Sequence, residues 1–170
     1  MRHGSLFSGI GGFDLAAHWM GWQNVFTCEK DAFCQQVLHH HFPESDSYGD
    51  IRDLPAADYA GRIDIITGGV PCQPYSTAGK RAGRTDDRYL WPEFIRVIRT
   101  VRPSWIVAEN VRGLTNIEGG GIFGQVLSEL EDAGYETFPA VLAAAGWNAP
   151  HRRDRIWIIA NANDTGERGG

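Results

Sequence analysis

Short apolar runs alternate along this chain with stretches of helical periodicity, and that alternation narrows the possible folds more than any other feature. Ser5-Leu6-Phe7, Trp22 to Cys28 and Trp105-Ile106-Val107-Ala108 each read as a strand. Ile63-Asp64-Ile65-Ile66-Thr67 is β-branched and bounded by glycines, as a strand buried on both faces of a parallel sheet should be. Between them, Phe13, Ala16, Ala17 and Met20 recur at helical spacing, and Asp31 caps a helix carrying Phe33, Val37 and Leu38. Leu90, Phe94, Val97, Ile98 and Val101 share one face of a helix from Tyr89 to Val101. Ile122 to Ala133 is a further helix closed by Gly134, followed by strands at Tyr135 to Ala144 and Arg155 to Ala160. Tyr48-Gly49-Asp50-Ile51 ends a weaker third strand. This order predicts an α/β fold with a doubly wound, mostly parallel sheet.

A chain of 170 residues suits one well-buried domain. No apolar stretch approaches the roughly 20 residues needed to span a bilayer, which argues against a membrane protein. The three cysteines, Cys28, Cys34 and Cys72, are odd in number and lack metal-ligand spacing. They predict reduced thiols in a cytoplasm and no metal. A net charge of -5 excludes a nucleic-acid clamp made from the whole surface, so any phosphate contact must be local. Two basic clusters are available for it, Lys80-Arg81-Arg84-Arg88 and Arg152-Arg153-Arg155.

The loop Gly68-Gly69-Val70-Pro71-Cys72-Gln73-Pro74-Tyr75-Ser76 follows the central strand. Pro71 and Pro74 stiffen the chain around Cys72, and a basic, glycine-hinged flap follows from Ser76 to Arg88. Cys72 is either a presented nucleophile under a lid or a small apolar filler. Position helps the first reading. The loop Ser8-Gly9-Ile10-Gly11-Gly12, Glu29, Asp50, Cys72 and Glu109 all follow strand ends, and in a doubly wound sheet such ends line one crevice. Taken singly, Glu29 also suits a helix start, Asp50 a turn, and Glu109-Asn110 a turn after a strand. Glycines at 9, 11 and 12 let backbone approach a ligand, but Asp14 stands where the dinucleotide fingerprint needs its third glycine. With Glu29 placed for a ribose diol, the pattern fits an adenosine-bearing cofactor without a pyrophosphate, such as S-adenosylmethionine.

Four ordered motifs carry a resemblance. Ser5-Leu6-Phe7-Ser8-Gly9-Ile10-Gly11-Gly12-Phe13, Pro71-Cys72-Gln73-Pro74-Tyr75-Ser76, Glu109-Asn110-Val111 and Pro150-His151-Arg152-Arg153-Asp154-Arg155 resemble the motifs of the DNA cytosine-5 methyltransferases. The resemblance covers residues 1 to about 160 and implies a Rossmann-like S-adenosylmethionine-dependent methyltransferase fold. It implies that Cys72 adds to carbon 6 of a cytosine flipped out of double-stranded DNA, and that Glu109 serves ring nitrogen 3. By the same resemblance Arg155 steadies the cytosine carbonyl oxygen and Arg153 supports the thiol loop. Gln73, Ser76, Asn110 and Val111 are implied in the substrate pocket. Phe7 to Phe13 and Pro71 are implied around the cofactor, Glu29 at its ribose, and Asp50 with Ile51 at its adenine. His151 departs from the family's usual glutamine, at a position that is not a direct catalyst.

Relatives continue past this last motif into a target-recognition domain and a returning final segment. Residues 1–160 therefore read as a catalytic domain and residues 161–170 as a polar tail opening a missing region. The resemblance thus implies a fragment or one half of a split enzyme whose second polypeptide brings target recognition. A transfer-RNA cytosine-5 methyltransferase and an incomplete cofactor-binding module are the alternatives. Restriction-modification and phage self-protection are the two settings such enzymes suggest.

Overall fold

The computed structural model describes residues 1–71 and 90–163. Strand β1 (Arg2–Leu6) owes its central place to what sits on its two faces. Gly4 has no side chain where a Cβ would collide with the Phe26 ring, so the ring packs across the strand. Leu6, on the same face, joins the main core with Phe26 and Phe94. His3 and Ser5 face the other way and are fully buried. His3 Nδ1 lies 2.7 Å from Asn24 Oδ1 and Nε2 lies 2.8 Å from Thr67 Oγ1. Asn24 Nδ2 donates to the Asp14 carbonyl, so its oxygen is turned to accept from Nδ1–H, and burial favours the neutral imidazole.

The seven-stranded sheet has the order β3-β2-β1-β4-β5-β7-β6. Parallel pairings join β3 (Asp46–Tyr48), β2 (Gln23–Cys28), β1, β4 (Ile65–Gly69) and β5 (Trp105–Val111). Strand β7 (Asp154–Ala162) runs antiparallel to both β5 and the edge strand β6 (Tyr135–Ala143). Helices α1 (Gly12–Trp19) and α2 (Ala32–His41) cover one face, α3 (Trp91–Val101) and α4 (Gly121–Asp132) the other. Six residues of α3, among them Phe94, Ile98 and Val101, are buried against Leu6, Ile66 and Ile106. Each fully buried large apolar side chain of this kind stabilises the fold by roughly 1.5–3 kcal/mol. Asp31 caps α2 as its position predicts, accepting from the Cys34 amide at 2.9 Å.

The predicted doubly wound, mostly parallel sheet is present, with shifted boundaries. β5 does not stop at Ala108. Glu109, Asn110 and Val111 lie within the strand, because β7 pairs with each of them. Asn161, expected in the polar tail, is also in the sheet. It pairs with Trp105 and donates to the Ser104 carbonyl at 3.1 Å. β4 starts two residues later than its apolar run and includes both glycines. The predicted start of α3 at Tyr89 and the tail beyond 163 lie outside the described residues. Among the described residues no helix is long and apolar enough to cross a membrane.

Cover is uneven on the α1 face. Phe13 meets Trp157 edge-on at 5.7 Å. Farther along the same face Trp105, Ile159, Phe138 and Leu142 are each at least 40% exposed.

Asp14, in the first turn of α1, is fully buried; Ser5 Oγ donates to its Oδ2 at 3.0 Å, and its Oδ1 has no partner. Burial raises its pKa from 3.8 to about 6. A folded value above the unfolded one means stability that is intact below about pH 4 and lost as pH rises towards about 6. His3 has the opposite sign, since burial lowers its pKa and stability is lost as pH falls below 6.5. Asp14→Asn should therefore gain about 1–3 kcal/mol relative to wild type between about pH 4 and pH 7. Urea unfolding of both proteins at the two pH values checks this; parallel pH profiles would refute it.

Candidate active site

Because β1, β2, β3 and β4 run parallel, the loops that leave them open on one edge of the sheet. There they enclose a cleft of about 430 Å³, within the range of sites for small organic ligands. Phe7, Glu29, Asp50, Ile51, Gly69 and Pro71 line it. Phe7 sits at φ 53, a left-handed conformation that an aromatic residue rarely adopts, and it turns the chain out of β1 into the glycine loop. Gly11, at φ 89, caps α1, and a Cβ there would press on Phe42 at 3.0 Å. The Glu29 carboxylate spans the loop start. Oε2 accepts from the Gly9 amide and Oε1 from the Asp31 amide, both at 2.8 Å. Asp50 accepts from the Arg52 amide at 3.0 Å and pairs with Lys30 at 3.1 Å, and these contacts hold its pKa below the usual range.

A second cleft, of about 470 Å³, lies beside the ends of β5 and β7 and is mostly apolar. Phe13, Trp147 and Trp157 face Glu109, Arg153 and Arg155 across it. Arg155 Nε is 2.7 Å from Glu109 Oε1. The antiparallel register creates this pair, since Glu109 sits opposite Trp157 and Val111 opposite Arg155 on one sheet face. The two clefts meet at the β4–β5 junction, where a Cβ on Gly69 would lie 3.6 Å from Glu109 Oε2. Asn110 points the other way. Its Nδ2 donates to the Val70 carbonyl at 3.0 Å and its Oδ1 accepts from the Val111 amide at 2.8 Å. Val70 is the residue before Pro71, so Asn110 pins the root of the thiol loop.

The structure thus brings Phe7, Glu29, Asp50, Ile51 and Pro71 to one cleft, and Gly12, Phe13, Glu109, Arg153 and Arg155 to the neighbouring one. Ser8 is a buried brace whose hydroxyl lies within 3.4 Å of the Ser5 and Cys28 carbonyls. Ile10 faces away, into a groove between α1 and α2 shared with Leu15 and Val37. Val111 is exposed at the strand end. Cys72, Gln73, Ser76 and the basic flap lie outside the described residues. Cys28, Lys30, Arg52 and Leu90 also line the first cleft, and sequence reasoning missed them. Lys30 could have been found beside Glu29; the others carry no local signal. Burial, with Asp50 and Glu29 nearby, pushes the Cys28 thiol up to about 12, so it stays a thiol. Next to Arg155 in sequence, Asp154 holds Arg112 at 2.9 Å and Arg152 at 3.1 Å, and these partners keep its carboxyl below the usual range.

This strand order, with β7 reversed and clefts at the carboxyl ends of the parallel strands, is the Rossmann-like fold of S-adenosylmethionine-dependent methyltransferases. The solved S. pombe Dnmt2 methyltransferase matches it with a TM-score of 0.79 and 24% identity, over 98% of this chain and 52% of that one, a likeness of fold. The family model for C-5 cytosine-specific DNA methylases matches residues 1–168, and the chain belongs to that family. Type II methyltransferase M.Eco47II of Escherichia coli is 36% identical over 94% of this chain and 39% of its own length. Type II methyltransferase M.NgoBI of Neisseria gonorrhoeae is 37% identical over 91% of this chain and 48% of its own. The chain spans less than half the length of these two relatives.

Asn110→Ala leaves the carbonyl of buried Val70 without its side-chain donor. We expect a loss of about 1–2 kcal/mol in urea unfolding, from the unsatisfied acceptor. Asn110→Asp should not restore the loss at neutral pH, because a carboxylate cannot donate. Full stability in either variant would show that the Asn110 bond is dispensable.

Proposed function

We propose that this chain is the catalytic part of a DNA cytosine-5 methyltransferase, which moves a methyl group from S-adenosylmethionine to carbon 5 of a flipped-out cytosine. The observation that carries the reading is the convergence of Glu29, Asp50, Ile51 and Pro71 on one cleft that adjoins the Glu109–Arg155 pair. The cleft fits the cofactor in kind. Carboxylates at Glu29 and Asp50 suit ribose hydroxyls and an adenine amine, while Phe7, Ile51 and Leu90 give the base apolar walls. S-adenosylmethionine supplies a methyl group on a sulfonium, an electrophile that carbon 5 of an unactivated cytosine attacks poorly.

Activation falls to the chain's own residues. Cys72 as thiolate forms a bond to carbon 6, and the displaced electron pair makes carbon 5 nucleophilic. Glu109 holds the proton or hydrogen bond at ring nitrogen 3 that stabilises this adduct, and Arg155 the ring carbonyl oxygen. Arg153 and Asn110 support the thiol loop, Asn110 through the Val70 carbonyl, and Gln73, Ser76 and Val111 shape the pocket around the base. After transfer, carbon 5 loses its proton to a base, the Cys72–carbon 6 bond breaks and the ring regains its aromaticity. The flap from Ser76 to Arg88 contacts the phosphates flanking the flipped base. The bare apolar face at Trp105, Phe138 and Ile159 supports completion by further polypeptide, in this chain or a second one.

Trapping tests the chemistry. S-adenosylmethionine and duplex DNA carrying 5-fluorocytosine should give a covalent complex that resists denaturation, and Cys72→Ala should abolish it. An adduct that survives the substitution would sink the nucleophile, and one formed with fluorinated transfer RNA but not DNA would reassign the substrate.

Glu29→Ala should weaken S-adenosylmethionine binding at least tenfold in calorimetry, as expected from losing about 1.5–3 kcal/mol per charge-assisted hydrogen bond. Unchanged affinity would mean that Glu29 serves only the Gly9 and Asp31 amides.

A further inference from the structure

One wall of the first cleft has little structure of its own. Gly49, Asp50, Ile51 and Arg52 follow the three-residue strand β3 and pass into a single 3-10 turn, Ile51–Asp53. Its internal bonds are short-range. The Asp53 amide reaches the Asp50 carbonyl at 3.0 Å, and the Leu54 amide reaches the Ile51 carbonyl at 3.4 Å, near the limit of a useful bond. A much stronger donor comes from elsewhere in the sequence. Arg96, in the second turn of α3, directs Nη2 onto the Ile51 carbonyl at 2.7 Å. Glu93, one turn earlier, accepts from Arg96 Nε at 2.6 Å and so fixes the plane of the guanidinium.

We propose that Arg96, oriented by Glu93, is a positioning residue for the cofactor, locking the Asp50–Ile51 wall of the cleft to helix α3. The inference rests on the reading of that cleft as the S-adenosylmethionine site. An exposed Glu–Arg pair three residues apart on a helix contributes little by itself. This guanidinium differs because its far side is spent on a backbone carbonyl 45 residues away in sequence. α3 is a rigid anchor, with Phe94, Val97, Ile98 and Val101 buried. Its N-cap residue, Leu90, itself lines the cleft, so the helix touches the site twice, through Leu90 directly and through Arg96. The segment running from Pro71 into α3 carries the candidate nucleophile. Through Arg96 the same helix anchors the wall assigned to adenine.

The test is calorimetry of the purified chain with S-adenosylhomocysteine, a stable analogue bearing the same adenosine, combined with amide hydrogen exchange. Arg96→Ala should weaken binding about tenfold or more, the expected effect of losing a charge-assisted bond that pre-organises a site. Arg96→Lys should recover part of the loss, because an ammonium can still donate to the carbonyl without the fork that Glu93 aligns. In the unliganded Arg96→Ala protein the amides of Asp53 and Leu54 should exchange faster, with those of β4 and β5 unchanged. Affinity of Arg96→Ala within twofold of wild type would overturn the proposal. So would equal loss of protection in β4 and β5 with no recovery in Arg96→Lys, since that pattern marks a merely structural role. Absence of binding by the wild-type chain would instead remove the cofactor reading, and this role with it.

Discussion

Strands β1 and β4 are paired on both sides, and so neither face of the sheet centre can be left to water. The chain meets that constraint in two different ways. On the α3 side the cover is apolar, with Phe94, Val97, Ile98 and Val101 closing over Leu6, Ile66 and Ile106. On the α1 side it is polar, a buried set in which His3, Asn24, Thr67, Ser5 and Asp14 satisfy one another except at one carboxylate oxygen. Hydrogen bonds in such a place specify one arrangement, because a shifted helix would strand several buried polar groups at once. α1 is thus held in register directly behind the glycine loop that it extends.

The site inherits its geometry from this centre. Parallel pairing aligns the exits of β1, β2, β3 and β4, which gathers Phe7, Glu29, Asp50 and Gly69 without any contact between them in sequence. Backbone that leaves such strands has few bonds of its own, and side chains supply them: Glu29 for Gly9, Asn110 for Val70 and Arg96 for Ile51. Each ties a cleft wall to a neighbouring strand or helix. The clefts are therefore built from loops but positioned by the sheet and by α3.

Cover is incomplete where β7 reverses direction. Trp105, Ile159, Phe138 and Leu142 lie on the α1 face of the sheet, beyond the Phe13–Trp157 contact, and each is at least 40% exposed. This places a large apolar surface beside the cleft that holds Glu109 and Arg155. Apolar side chains this exposed side by side are more than a soluble surface usually shows.

Much of the molecule was legible in the sequence. Apolar runs of strand length, helical spacing in Phe94, Val97, Ile98 and Val101, and the Asp31 cap are local signals, and local periodicity decides them. Carboxylates at strand exits were legible for the same reason, because topology alone sends those exits to one edge. Residues whose roles depend on a distant partner could not be read this way. Glu109 and Asn161 looked like loop and tail, yet β7 pairing draws both into the sheet, an effect that local propensity cannot anticipate. Arg96 reads as one more charge on the polar side of a helix until the fold puts the Ile51 carbonyl 2.7 Å from it. The sequence by itself determined the elements, their order and the chemistry at their ends; tertiary structure decided which ends meet, because only packing across the sheet sets those distances.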